Sequence, residues 1–529
     1  MKNLSNIYKG FFHCKKKRIY ENILRDFIKK IDNLNFKKDI NNTSIKDIEN
    51  LDLFFRQKII DYFFSFNFKE KLILSVKKKN AHFPLPGEVL QIINARTNNI
   101  NFRISNLSFF YKNLKHIFIG LLFSFKIFLL SNKNSKINSN YIQIMNIFRD
   151  YHISNNKDEK YCVINWFAEN KKNENFKLFA HKCFEAKNET NSKFIYINEK
   201  LLEFRDIKSR IHFISWSIYF FFKSILYLFL NKWHYAFFYV DIIVLKKMLL
   251  TKKNCMASEY YFSYHDKIRP LWTFDKNFKQ IKFIAYNMSC SQDGIQYKKK
   301  YSPFEEMFVK NILWDNILEW SDARIVHLKK MNSNLKLKKV KPIYSIDKKK
   351  FLLENKISLS KKVAVFDLPP LSDEFKFKSD LSLLHYEHLT FKNVKGFLDD
   401  IYKTALQNNF HVILKPRWNF LFNIKNKISY NFVSKKYIEY LSFLSKKENF
   451  TLVDAYTSSE NMINNTDFNI SYPFTSTGVL STFYNKKSFY YFPNKLVKVN
   501  DMYNQGISTL NNINDLDMIF KDSQIKNHN

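Results

Sequence analysis

Glycine and proline are scarce in this chain, at 7 and 10 of 529 residues. No Gly-x-x-x-x-Gly-Lys loop and no Gly-x-Gly-x-x-Gly turn occurs, so the two common glycine-rich phosphate cradles are excluded. Cysteine is scarce too. Cys14, Cys162, Cys183, Cys255 and Cys290 are odd in number, far apart, and form no Cys-x-x-Cys pair. That excludes a disulfide framework and reads as free thiols in a reducing compartment. Acidic residues are few, 48 against 86 Lys and Arg, for a formal net charge of +38. Such a balance suggests an anionic partner: nucleic acid, an anionic membrane surface or a phosphorylated substrate. The lysines are scattered, and neither an Arg-rich block nor zinc-finger spacing appears, which argues against nucleic acid.

Long uninterrupted apolar runs are also missing. "HIFIGLLFSFKIFLL" (His116 to Leu130) is broken by Lys126, and "FISWSIYFFFKSILYLFL" (Phe213 to Leu230) by Lys223. Both are short for a span, which wants about 20 apolar residues. They read as helices of a globular domain, as helices lying in a membrane interface, or as spans; the sequence leaves the three open. The basic start "MKNLSNIYKGFFHCKKKR" lacks the apolar core and cleavage site of a secretory signal, so a cytoplasmic protein is expected.

What the chain does have is 46% hydrophobic and 18% aromatic residues, enough for large cores in two or three domains. Residues 1–140 look helical. Strand-like runs begin at Tyr141, with "YCVINWF", "KFIYINE" and "IKFIAYNMSCS" (Ile281 to Ser291). From Lys361 the pattern is clearest. "KKVAVFDLPP" reads as a buried strand ending in a Pro-Pro loop. In "VKGFLDDIYKTALQNN", Val394, Phe397, Leu398, Ile401, Ala405 and Leu406 mark one helix face. "FHVILKPR", "SKKYIEYLSFLSKK", "FTLVDAY", "SSENMINN", "FNISYPF", "STGVLSTFYNKK" and "SFYYFP" continue the alternation. Short strands alternating with helices predict a parallel, doubly wound sheet.

The scarce proline and glycine meet at Pro473-Phe474-Thr475-Ser476-Thr477-Gly478. Pro473 ends a strand, and Thr475, Ser476 and Thr477 fall in the first turn of the next helix. Free N–H groups and hydroxyls there make a site for an anion, and Gly478 lets backbone approach a ligand. Lys415 and Arg417 end a neighbouring strand and can neutralise the same phosphate. The plainer reading is an ordinary Ser/Thr helix cap. Ser458 and Ser459 read as a cap or as contacts to a nucleotide.

"ISYPFTSTG" resembles the signature of the bacterial surface-polysaccharide biosynthesis proteins named for a Pro-Phe-Thr-Ser motif. "IRPLWTF" (Ile268 to Phe274), "IKFIAYNMS", "VKPIYS" near Lys341 and "VAVFDLPP" resemble other pieces of that family in order, over about 255–520, with lysine replacing a glycine before the proline of "VKPIYS". More distantly, the Lys-Pro-Arg strand end and the Ser/Thr helix start resemble GT-B glycosyltransferases of the capsule and sialic-acid type. Arg417 stands where those carry histidine, and Trp418 where they carry a second proline. Phosphate binding survives that change, but proton transfer by a histidine does not.

The resemblance implies an α/β, GT-B-like chain: two Rossmann-like domains facing a cleft, with a mainly helical N-terminal extension. The expected parts are 1–140, helical; 141–344, an acceptor domain with an apolar helical insertion near 211–250; and 345–529, a nucleotide-sugar-binding domain. It implies a metal-independent glycosyltransferase at the inner face of the cytoplasmic membrane, using a nucleotide sugar and a glycan or lipid-linked acceptor, with no cofactor and no nucleic acid. Donor-binding candidates are Lys415, Arg417, Ser458, Ser459, Thr475, Ser476, Thr477 and Gly478. Base candidates are Asp293, in an Asp-Gly turn where sialic-acid-type transferases carry an acidic pair, and His265. Arg269 is the candidate for an acceptor carboxylate or phosphate, and Trp272 for stacking on a sugar. Asp367 ends a strand without an assignable role. His385-x-x-His388 lacks partners for a metal. Alternatives are a nucleotide-sugar epimerase or hydrolase and a non-catalytic assembly protein of the same fold.

Overall fold

The computed structural model describes residues 26, 54–59, 103–131, 141–145, 177–181, 194–197, 202–230, 234–252, 258–263, 269–286, 295–297, 312–314, 316–340, 361–372, 388–417, 433–455, 457–473, 475–493, 497–499 and 507–525. The expected strand "YCVINWF" lies outside them, as does the "VKPIYS" piece beyond Val340.

The strands are β1 (Tyr141–Met145), β2 (Lys177–His181), β3 (Phe194–Ile197), β4 (Ser258–Ser263), β5 (Lys282–Tyr286), β6 (Ile295–Tyr297), β7 (Asn316–Glu319), β8 (Leu337–Lys339), β9 (Lys361–Phe366), β10 (Phe410–Lys415), β11 (Phe450–Leu452), β12 (Phe468–Ser471), β13 (Ser488–Tyr491), β14 (Val497–Val499) and β15 (Ser508–Leu510). The helices are α1 (Arg103–Leu130), α2 (Ile207–Phe229), α3 (His234–Phe237), α4 (Tyr239–Leu249), α5 (Asp322–Met331), α6 (Phe391–Gln407), α7 (Lys435–Leu444), α8 (Ser459–Asn464), α9 (Ser476–Phe483) and α10 (Ile513–Ile525).

One sheet has the order β3-β2-β1-β4-β5-β7-β8 and the other β11-β10-β9-β12-β13-β15. Counted from its own first strand, each opens 3-2-1-4-5, the order of a dinucleotide-type Rossmann sheet. The registered pairs in both are parallel. The chain is thus an α/β protein with two Rossmann-ordered sheets, the composition of a GT-B-like fold. Two compact units divide it: Met1–Phe148, Lys172–Ala285 and Met307–Asn316 in one, and Arg149–Lys171, Tyr286–Glu306 and Ile317–Asn529 in the other.

In the first unit, the crossover from β3 to β4 is made of α2, α3 and α4, which is where the apolar stretch of 213–250 goes. By length and composition, Phe110–Leu130 and Ile207–Phe229 could each cross a membrane.

In the second unit the sheet is covered on both faces, as a parallel sheet requires. Val363, Val365, Val412, Leu414, Phe468 and Ile470 pack on one side with α6, α7 and α10. Ala364, Phe366 and Ile413 pack on the other with Met462 and Ile463 of α8 and Val479 and Leu480 of α9. The α6 face is buried as its spacing predicts, apart from Leu406, which is exposed. Leu406 lies one residue, or about 100°, past Ala405 and has turned off the stripe.

The shortage of glycine has a structural answer. Asn409, Asn449 and Asn485 have φ of 55°, 53° and 53°. Asn409 and Asn485 directly follow the C-cap residues of α6 and α9, and Asn449 stands in the turns after α7, just before β11. Helices commonly end on one left-handed residue, and asparagine is the side chain that best replaces glycine there.

Candidate functional site

The switch point of the second sheet lies between β9 and β12, where the strand order reverses. In open α/β sheets ligands bind beyond the carboxyl ends of the strands at that place. Three segments of this chain end there. Lys415 on β10 and Ser471 on β12 both pair in register with Phe366 on β9. Two strand spacings therefore separate them, about 10 Å between backbones. Lys415 is half-buried, Pro416 is buried, and Arg417 is exposed.

Beyond β12 the backbone turns tightly. Tyr472 N–H donates to Phe366 O at 2.7 Å, Thr475 N–H to Tyr472 O at 3.3 Å, and Gly478 N–H to Thr475 O at 3.2 Å. Thr475 is the residue before α9, in extended backbone, and its hydroxyl makes no cap bond. Instead Thr475 Oγ1 lies 2.9 Å from Thr477 Oγ1, which lies 3.2 Å from Ser471 Oγ. The three hydroxyls are knitted together below the turn. Thr475, Ser476 and Thr477 are buried. The plain cap reading thus fails for Thr475. The outward-pointing hydroxyls expected from the sequence are, for Thr475 and Thr477, already bonded to each other.

Gly478 has a different reason from the one its sequence suggested. A Cβ there would lie 2.6 Å from Cε1 of the Tyr490 ring, so the close neighbour is a β13 side chain. The Tyr490 hydroxyl donates to Thr475 O at 3.4 Å, bracing the turn.

Ser458 is the N-cap of α8: its Oγ accepts from Asn461 N–H at 3.1 Å. Ser459 is buried in the first turn.

Asp367 follows β9 directly and so enters the switch point from the other side. It is buried, and its Oδ2 accepts from the Tyr437 hydroxyl of α7. Its Oδ1 has no hydrogen-bond partner among the described residues. Burial pushes the carboxyl up to about 7, against the pull of the tyrosine bond. Nearby, Tyr472 donates to His388 O at 2.7 Å, and the two rings lie parallel at 6.2 Å. Burial holds the His388 imidazole down to about 3, so it is neutral. Sequence reasoning placed Asp367 at a strand end but missed its tyrosine partner, which lies 70 residues away and has no local signal. The His388 ring is a core group.

The candidates of the first unit are differently placed. Arg269 is buried. Its Nε donates to Thr273 Oγ1 at 2.8 Å, Nη2 to Thr273 O at 2.8 Å, and Nη1 to Leu313 O at 3.3 Å. The guanidinium also sits 3.8 Å from the Phe283 ring centroid and 4.4 Å from that of Phe274. Trp272 is 1% exposed, with its ring edge-on to Phe278 and Phe283. Both side chains are buried in the core, whereas the sequence reading expects them to face an acceptor. His265 and Asp293 lie outside the described residues.

Residues 216–520 match the model of a family described as polysaccharide biosynthesis PFTS motif protein. The chain belongs to that family. The PFTS turn just described is its namesake, and the matched span holds the whole of the sheet that carries it. No curated protein matches this chain. Among solved structures, the wall teichoic acid polymerase TagF soaked with CDPG is similar at 11% identity over 80% of this chain and 90% of that one, with a TM-score of 0.38. Sucrose-phosphate synthase from Thermosynechococcus elongatus is similar at 8% identity over 73% and 90%, TM-score 0.36. HepE from Anabaena in complex with UDP-glucose is similar at 10% identity over 54% and 73%, TM-score 0.32.

Proposed function

We propose that this PFTS protein is a glycosyltransferase that moves a sugar from a nucleotide-activated donor to a surface-polysaccharide or lipid-linked acceptor at the inner face of the cytoplasmic membrane. The observation that carries the reading is the meeting of Lys415, the PFTS turn and the start of α9 at the switch point between β9 and β12. Two cationic side chains and a helix N-terminus suit the diphosphate of such a donor.

In the reaction, the acceptor hydroxyl oxygen bonds to the anomeric carbon as the bond from that carbon to the phosphate oxygen breaks. The nucleotide leaves with the electron pair, and the hydroxyl proton passes to a base. Lys415, Arg417 and the first-turn N–H groups of α9 stabilise the charge growing on the leaving phosphate. Asp293 and His265 remain the proposed bases, and the transfer is proposed to run without a metal ion.

A second reading keeps the fold and drops the catalysis. The Ser471–Thr475–Thr477 hydroxyl cluster favours it, because these groups satisfy one another without a ligand. The two readings separate in a thermal-shift series with CMP, CDP, UDP, GDP and their sugar conjugates, on wild type and on Ser476→Ala with Arg417→Ala. The transferase reading expects a rise in Tm for one nucleotide class that the double variant loses. Folded wild type with no rise for any nucleotide overturns it in favour of the non-catalytic reading.

A further inference from the structure

In the first unit α1 and α2 run antiparallel. Phe110 meets Phe229 and Phe118 meets Phe221, each pair at 4.9 Å between ring centroids. The covered stripe mixes small and polar residues, Asn113, Gly120 and Ser124 on α1 and Ser217 and Ser224 on α2, with the large apolar Ile117 and Ile127 of α1 and Phe213, Phe220, Phe221 and Leu228 of α2. The hydroxyls of Ser124 and Ser217 turn back onto carbonyls of their own helices, Gly120 O at 3.0 Å and Phe213 O at 2.8 Å. The outward stripe is apolar. Phe118, Leu122 and Leu129 are 49, 68 and 65% exposed, and Ile218, Phe222 and Leu226 are 40, 65 and 56% exposed. An exposed apolar face of this size is unusual on a soluble monomer, and serines bonded back onto their own helices beside a buried glycine suit helices that also meet lipid.

The pair is not surrounded on all sides. α4 packs against both helices, with the Tyr239 ring so close to Gly120 that a Cβ there would lie 2.2 Å from it. The stretch 54–59 lies on α3 and α4, with Phe55 stacked on Phe238 at 4.2 Å and Lys58 paired with Asp241 at 3.1 Å. A spanning arrangement would carry that ion pair into hydrocarbon. An arrangement in the membrane plane leaves it on the water side.

Charge selects the occupant. α1 carries Arg103, Lys112, Lys115 and Lys126, and α2 carries Lys208, Arg210 and Lys223; neither has an Asp or Glu. Lys223 lies against the rings of Tyr219 and Tyr227, at 5.3 and 5.6 Å. Basic groups with aromatic rings at the edge of an apolar face match anionic headgroups over acyl chains. A second copy would bring like charges together.

The geometry points to α1 and α2 as an in-plane docking element whose outward apolar face enters one leaflet of an anionic bilayer. This rests on the membrane-surface part of the function proposed above and is independent of its donor chemistry.

The test adds full-length protein to preformed vesicles of phosphatidylglycerol with phosphatidylcholine, or of phosphatidylcholine alone, and measures flotation. Wild type is expected to float with the anionic vesicles. Leu122→Glu with Phe222→Glu, both at exposed positions, is expected to lower that partition by about tenfold or more. Lys112→Gln with Lys126→Gln is expected to weaken it and to flatten its salt dependence. Thermal melts check that each variant is folded. Wild type that floats with neither vesicle, or that floats only after reconstitution from detergent, overturns in-plane docking. So does a folded glutamate variant that floats like wild type. A wild-type dimer in sedimentation that the glutamate variant converts to monomer assigns the face to a second copy instead. The nucleotide thermal shift, run on the same glutamate variant without lipid, separates failure of docking from failure of the donor site.

Discussion

The Tyr437 hydroxyl donates to Asp367 Oδ2, joining α7 to the residue just beyond β9. The bond crosses the end of the sheet where the PFTS turn also lies. It favours the ionised carboxylate, yet burial outweighs it and keeps the proton on up to about pH 7. The core under the PFTS turn therefore holds a neutral acid, a neutral imidazole at His388 and the tyrosines between them.

These two groups give opposite pH dependences. The Asp367 pKa is raised in the fold, from 3.8 to about 7, so its contribution to stability is full below 3.8 and is lost as pH rises towards 7. The His388 pKa is depressed, from 6.5 to about 3, so its contribution is full above 6.5 and is lost as pH falls towards 3. Between about pH 4 and 6.5 the two slopes oppose each other. Asp367→Asn is expected to leave a stability that climbs with pH across that window. His388→Gln is expected to leave one that declines. Urea midpoints measured at half-unit intervals of pH check the signs; parallel profiles for both variants and wild type would sink the assignment.

Gly478→Ala is expected to destabilise the second unit by about 1–3 kcal/mol, the usual range for overpacking. Its Cβ would press on the Tyr490 ring. Because the cost lies in that one contact, Tyr490→Leu should recover part of it, and the double variant should be more stable than the two single losses predict. Denaturant melts of the four proteins measure the coupling. Additive losses would mean that glycine is needed at 478 for another reason, such as a ligand.

Arg269→Lys is expected to cost about 2–4 kcal/mol, since a lysine cannot make the fork of bonds to Thr273 and Leu313 or lie flat on two rings. The effect should appear in the unfolding midpoint. If folded Arg269→Lys protein instead keeps its midpoint and loses affinity for an acceptor glycan, Arg269 belongs to a binding surface.

Local pattern carried most of the second sheet. β9, α6, β10, α7, β12, α9 and β13 all lie where periodicity and breakers put them, because a strand buried on both faces and a helix with one apolar stripe leave unmistakable spacings. The site was legible as a place. Lys415 and the PFTS turn end β10 and β12, which flank β9, and the sheet brings both to its carboxyl end. The three left-handed asparagines, two of them ending helices, were present in the sequence but silent, since asparagine serves many turns and shows its left-handed role only in φ.

What no local pattern could decide was which atom meets which. The same Thr-Ser-Thr-Gly serves as a free anion cradle or as a self-bonded turn, and the difference lies in Ser471, six residues before Thr477, and in Tyr490, brought in by the pairing of β12 with β13. Arg269 and Trp272 read equally well as surface contacts or as core, and burial follows from packing against Leu313, Phe278 and Phe283. α1 and α2 were apolar on any reading. Only their packing against each other and against α4 sorted those residues into a covered stripe and an exposed apolar one. Composition and period set the elements, because they act over neighbouring residues; contact between distant residues sets their use.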